Sequence, residues 1–149
     1  MGKKNIIRAG LEHGSQLAPL FSAYRAFYKE KVDPEAEKDY LSARMANGDC
    51  VVFMALVNNE PAGFVLLYPT FDTLGLQAIW VLHDLYVSPD HRRYGIGRGL
   101  MKEAHDFCSK KGAGRVDLST AVTNTVAQPL YESMGYERDE EYYVYSLTL

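Results

Sequence analysis

The sequence predicts a mixed α/β (α+β) fold: a single, mostly antiparallel sheet of six or seven strands with helices on both faces. Three observations predict it. Apolar residues recur at helical spacing near the N-terminus, dense runs of β-formers fill the middle, and the last third returns to an alternation of helix and strand. The order reads β, α, α, three strands, then α, β, α, β. At 149 residues the chain fits one domain, residues 1–149, large enough to bury a core without metal or disulfide staples.

Each element has its own signal. Asn5–Ala9 reads as a first short strand. From Ser15 to Lys31, Leu17, Leu20, Phe21, Tyr24, Phe27 and Tyr28 recur at spacings of three and four, the mark of an amphipathic helix. Asp33-Pro34 reads as an N-cap followed by proline at the first helical position, and the helix continues over Glu35–Ala46 to a stop at Asn47-Gly48. Tyr40, Leu41 and Met45 form its expected inner face. Val51–Val57 and Ala62–Tyr68 are apolar runs around a turn at Asn58–Pro61, a hairpin. Pro69–Thr73 reads as a loop, and Ala78–Val87 as a third run of β-formers. After a glycine-rich stretch, Arg98–Lys111 is helical, Arg115–Ala121 a strand, Val126–Ser133 a short helix, and Tyr142–Leu149 a closing strand.

Composition narrows the function. Net charge is −3 and the sequence pI about 5.8, which argues against nucleic acid as the partner, because such binders carry a basic face. No apolar run approaches the roughly 20 residues that cross a bilayer, so no membrane role is expected. Cys50 and Cys108 form no CxxC pair, and no Cys/His cluster has zinc-ligand spacing, so no metal is expected. Two reduced thiols and the lack of a signal-peptide core fit a cytoplasmic protein.

The chemistry concentrates where the third strand meets the next helix: Pro89-Asp90-His91-Arg92-Arg93-Tyr94-Gly95-Ile96-Gly97-Arg98-Gly99. Glycines at such a turn let backbone N–H groups converge, and the helix N-terminus adds roughly half a positive charge, which together suit a phosphate. Arg92, Arg93 and Arg98 add side-chain charge. The spacing is GxGxG rather than the GxGxxG of a Rossmann turn, and the Gly-Lys-Ser/Thr of a P-loop is absent. An isolated GxG is also compatible with a purely structural turn.

The segment Arg92-x-x-Gly95-x-Gly97 resembles the acyl-CoA pyrophosphate motif of the GNAT N-acetyltransferases. The strand Leu82–Pro89 resembles the one that precedes that motif, and Asn124–Tyr136, with Leu130-Tyr131-Glu132 and Gly135-Tyr136, resembles the family's later element. Within the superfamily the chain looks closest to the small diamine, polyamine and Hpa-type enzymes. The resemblance implies acetyl-CoA as co-substrate, no metal, and a small-molecule or protein amine as acceptor. Because many relatives dimerise, it also implies a homodimer. It further implies that Leu85, Tyr86 and Val87 line the pantetheine arm, and that Arg92, Arg93, Tyr94, Gly95, Ile96, Gly97 and Arg98 cradle the pyrophosphate. Ser119, Asn124, Ala127 and Tyr131 would border the rest of the cofactor.

The reaction sets the remaining roles. An alkylammonium of pKa near 10.4 has no lone pair at neutral pH and needs a base. The oxyanion could meet a strand amide such as that of Val87. The departing thiolate gains from a proton, and the resemblance assigns that to Tyr131. Where polyamine-type relatives often carry a carboxylate pair, this sequence has His83-Asp84. His83 is a candidate base; Asp84 could hold a water or the substrate ammonium. On a regular strand the two point to opposite faces, and a bulge would bring them together. Tyr24, Tyr28, Glu30 and Tyr68 are candidate acceptor-binding residues, with Phe71 as a further candidate for the pocket wall. The competing readings are a non-catalytic acyl-CoA-binding sensor and a nucleotide-binding protein.

Overall fold

The computed structural model describes residues 2–149. The elements run β1 (Lys4–Ala9), α1 (Gly14–Phe27), α2 (Pro34–Ala46), β2 (Val51–Val57), β3 (Glu60–Asp72), β4 (Gln77–Val87), α3 (Ile96–Lys110), β5 (Val116–Asp117) and α4 (Ala127–Ser133). Two compact units divide the chain, Met1–Leu118 and Ser119–Leu149.

The first unit holds a sheet of order β1-β2-β3-β4-β5, antiparallel throughout except for the parallel β4–β5 pair. Every residue of β2 is buried, because helices cover both its faces. On one face Leu17 and Leu20 of α1 and Leu41 of α2 pack with Val52, Met54, Phe64, Leu66 and Tyr86. On the other lies α3, whose Leu100, Met101, Ala104 and Cys108 are buried at 1% exposure or less. Phe107 of α3 meets Phe53 and Trp80 edge-on at 5.7 and 5.3 Å. Burial pushes the thiols of Cys50 and Cys108 up to about 11, so both are protonated core residues.

The caps follow the sequence signals. The Asp33 side chain accepts from the Ala36 amide at 3.2 Å, with Pro34 opening α2. The α1 helix ends at Phe27, earlier than the Lys31 its periodicity suggested, because Lys29 turns left-handed at φ 62°. Leu41 is buried as expected, whereas Tyr40 is exposed and donates or accepts a hydroxyl–hydroxyl bond with Tyr68 at 2.8 Å.

The strands depart from the sequence reading in four places. Asn58 and Asn59 both take positive φ (51° and 67°), a two-residue hairpin turn matched to strand twist. Pro61 therefore lies within β3, opposite Leu56. The expected loop at Pro69–Thr73 is mostly strand, since β3 runs to Asp72 and the turn falls at Thr73–Leu76.

The sheet has five strands among the described residues rather than six or seven. The expected strand Arg115–Ala121 shrinks to Val116–Asp117, and local side-chain bonds form at its far end. Gln128 Nε2 donates to the carbonyls of Ala121 and Val122, and Asn124 Nδ2 to Thr120 Oγ1. The expected closing strand Tyr142–Leu149 pairs with no strand among the described residues, and its Tyr142, Tyr143, Val144 and Tyr145 are exposed. Alternation gives a strand two faces but no partner. The preceding charged run closes on itself, with Arg138 on Glu140 at 2.9 Å and Asp139 Oδ1 accepting from the Glu141 amide. Among the described residues no helix is long and apolar enough to cross a membrane.

Candidate active site

The turn between β4 and α3 is built before any ligand is considered. The Ser88 amide and hydroxyl both donate to the Ala62 carbonyl, at 2.8 and 2.9 Å, which pins the end of β4 to β3. Pro89–His91 makes one tight helical turn, and Arg92 is extended. Arg93 and Gly95 are then left-handed, at φ 69° and 78°, and α3 starts at Ile96. Lys4 Nζ holds the Tyr94 carbonyl at 2.5 Å. Left-handed residues spaced by one turn successive N–H groups toward the same side, a concavity for an anion. The amides of Arg93, Tyr94, Gly95, Ile96 and Gly97 have no hydrogen-bond acceptor among the described residues. They sit at a helix N-terminus, where the dipole also favours negative charge.

The Arg92 side chain points elsewhere. Its Nε donates to the Val87 carbonyl at 2.8 Å, and its guanidinium lies 5.6 Å from the Tyr86 ring centre and 5.8 Å from that of Phe27. The arginine thus fastens the strand end to α1.

Beside the turn, β4 is paired on one edge only. Leu85, Tyr86 and Val87 pair with Val65, Phe64 and Gly63 of β3. On the opposite edge, β5 accompanies β4 only at Trp80 and Val81, so Leu82–Val87 has no strand there among the described residues. Two further bonds, from Trp80 N to Arg115 O and from Gly114 N to Ala78 O, hold β5 in place. Arg115 bridges Asp72 at 3.1 Å and Asp117 at 2.8 Å.

The pairing of β3 with β4 shifts register in the middle. Leu66 faces Asp84 and Leu67 faces Leu82, which leaves His83 as an extra residue on β4. The bulge explains how neighbours meet: His83 Nδ1 lies 3.0 Å from Asp84 Oδ1. Asp84 is 7% exposed, whereas the His83 side chain is 59% exposed. A carboxylate only accepts, so this bond places a proton on Nδ1, and in the neutral ring Nε2 is then the nitrogen that carries the lone pair.

Both residues line a cavity of about 260 Å³ walled by Tyr24 and Tyr28 of the α1 end, by Tyr68 of β3 and by Glu30. Four of the five acceptor-wall candidates from the sequence thus share a cavity with the His83–Asp84 pair, whereas Phe71 is 80% exposed and lies outside its lining. Tyr24 packs edge-on against Tyr28 and Tyr86 at 5.1 and 6.2 Å, and Tyr68 against His83 at 5.3 Å. Burial first, and then the bond to Tyr40, raises the Tyr68 phenol above its usual range, so it is a neutral wall. Phe21, Arg25 and Tyr40 also line the cavity; the sequence marked Phe21 and Tyr40 only as packing residues and Arg25 not at all. The spacing Phe21, Tyr24, Arg25, Tyr28 on one helical face carried the signal for Arg25.

The remaining candidates lie in the second unit. Asn124 Oδ1 accepts from the Ala127 amide at 3.3 Å, which ties the preceding turn to the first residue of α4. Ser119 is exposed. Tyr131 is half-buried on α4, its ring 6.2 Å from that of Tyr136. Among the described residues no group of three or more His, Cys, Asp or Glu could hold a metal.

The chain belongs to the acetyltransferase (GNAT) family, whose model matches residues 17–136. It is 37% identical over 145 residues to an uncharacterized N-acetyltransferase, YhfO, of Bacillus subtilis (strain 168), covering 97% of each chain. It is 28% identical over 131 residues to the thialysine N-epsilon-acetyltransferase of Caenorhabditis elegans, covering 88% of this chain and 81% of the relative. A crystal structure of a probable acetyltransferase superposes with a TM-score of 0.91 at 38% identity, covering 97% of each chain. The chain is therefore an acetyltransferase.

Proposed function

We propose that the protein moves the acetyl group of acetyl-CoA to a primary amine, on a small molecule or at a lysine or N-terminal amine, by direct attack in a ternary complex. The observation that carries this reading is the row of main-chain amides from Arg93 to Gly97 without acceptors at the start of α3. The first N–H groups of a helix have no partner within it, and a diphosphate satisfies several at once. The unpaired edge of Leu85–Val87 gives an amide-bearing arm a strand to lie along. When bound, acetyl-CoA supplies the thioester.

The chain's own groups do the rest. His83 Nε2 takes the proton of the acceptor ammonium, directly or through water, while Asp84 fixes the ring and steadies its charged form. The Val87 amide meets the oxyanion. Tyr131, carried over from the family pattern, returns a proton to the departing sulfur. Arg98, Ser119, Asn124 and Ala127 border the cofactor in the same reading. The relative that acetylates thialysine supports a small amine as acceptor. A homodimer belongs to this reading too, and the exposed Phe71, Leu74 and Leu76 at the β3–β4 tip offer apolar surface for it.

The test is thiol release from acetyl-CoA across a panel of polyamines, amino acids, aminoglycosides and lysine peptides. Replacing Tyr131 with Phe should lower kcat by about 10²-fold or more while leaving acetyl-CoA affinity unchanged. Unaltered turnover in that variant would remove Tyr131 as the acid. Protection against thermal unfolding by ATP or NAD rather than acetyl-CoA would remove the reading as a whole.

A further inference from the structure

The cavity beside His83 carries more information than a site for any amine would need. At about 260 Å³ it lies below the roughly 300–1,000 Å³ of pockets for drug-sized ligands, so its occupant is small. Its walls hold charges of both signs: Asp84 and Glu30 are acidic, and Arg25 is basic.

Arg25 is only partly satisfied by the protein. Its Nη1 donates to the Lys31 carbonyl at 2.8 Å and to Glu37 Oε2 at 2.6 Å. Glu37 is 5% exposed and also accepts from the Ser22 hydroxyl, so this end of the guanidinium is locked. Nε and Nη2 have no acceptor among the described residues, although the side chain is 71% covered and lines the cavity. Those two nitrogens form the side-on fork that grips a carboxylate bidentately. A plain diamine would leave the fork empty and set a second cation against it.

We propose that the acceptor is a free diamino acid of the lysine or ornithine kind, held by its α-carboxylate at Arg25, its α-ammonium at Glu30 and its distal amine at His83. This rests on the acetyl-transfer reading above. In the step, the distal nitrogen's lone pair forms the C–N bond to the acetyl carbonyl carbon as the C–S bond breaks. The nitrogen's proton goes to His83 Nε2, and the sulfur is protonated from Tyr131. Tyr24, Tyr28 and Tyr68 flank the methylene chain and exclude water from it.

The experiment compares L-lysine, L-ornithine, lysine amide and cadaverine with the full chain, by thiol release and, separately, by calorimetric binding to CoA-saturated protein. Lysine or ornithine should exceed both lysine amide and cadaverine at least tenfold in kcat/KM, mostly through KM. Arg25→Lys keeps a charge against Glu37 but loses the fork. It should raise KM for lysine about tenfold and leave cadaverine within twofold. Equal use of cadaverine or lysine amide would overturn the proposal, as would an Arg25→Lys variant that weakens cadaverine as much as lysine. Acetylation of some other amine without lysine binding would overturn the proposal and leave acetyl transfer standing. Carboxylate-dependent lysine binding with no thiol release from any amine would support the site and sink the acetyl-transfer reading.

Discussion

The anion turn and the acceptor cavity lie at two places along β4 and are made of different material. The turn from Arg93 to Gly97 offers main-chain amides, and its arginine nearest the strand points away to Val87. The cavity offers side chains, a His–Asp pair, four tyrosines and a half-matched arginine. Main chain fits a group shared by every turnover. Side chains can be exchanged one by one, so they suit the partner that differs between related enzymes. The difference teaches where substitutions should separate chemistry from cofactor binding.

The largest effect is expected on the side-chain half. His83→Ala should lower kcat/KM by about 10²–10⁴-fold with acetyl-CoA affinity preserved, as measured by initial rates and calorimetry. An equal loss of affinity would break the division. A middle effect belongs to the backbone of the turn. A Cβ on Gly95 would meet nothing within 4 Å, so Gly95→Ala is limited by its φ of 78° and should cost about 1–2 kcal/mol in chemical denaturation. Gly95→Asn should cost less, because asparagine tolerates that region. The smallest effect is expected at Tyr94, whose carbonyl is held but whose ring is 51% exposed. Tyr94→Ala should shift acetyl-CoA affinity by no more than about twofold. A larger shift would show that the turn binds through side chains after all.

The same division governs what the sequence disclosed. The glycine spacing at Gly95 and Gly97 and the Asp33-Pro34 cap act within a few residues, so they are readable without a fold. The pairing of His83 with Asp84 needed the register of another strand, Leu66 and Leu67, which local pattern does not specify. Arg25 was hidden for a similar reason. Its partner Glu37 is on α2, and only the docking of two helices gives the guanidinium a locked end and an open one. The short β5 and the unpaired Tyr142–Leu149 mark the opposite error: alternation and β-propensity pointed to strands, while Gln128 and Asn124 supplied competing local bonds.

The extra residue at position 83 divides β4 into two stretches of opposite phase. Downstream of it, Asp84 and Tyr86 stand opposite Leu66 and Phe64; upstream, Leu82, of the same parity, stands opposite Leu67. Removing that single residue would leave Leu82 and Asp84 adjacent with the partners they already have, and the ladder with β3 would close into a regular one. A deletion at position 83 should therefore be kinder to the fold than to the pair of side chains that the kink holds together.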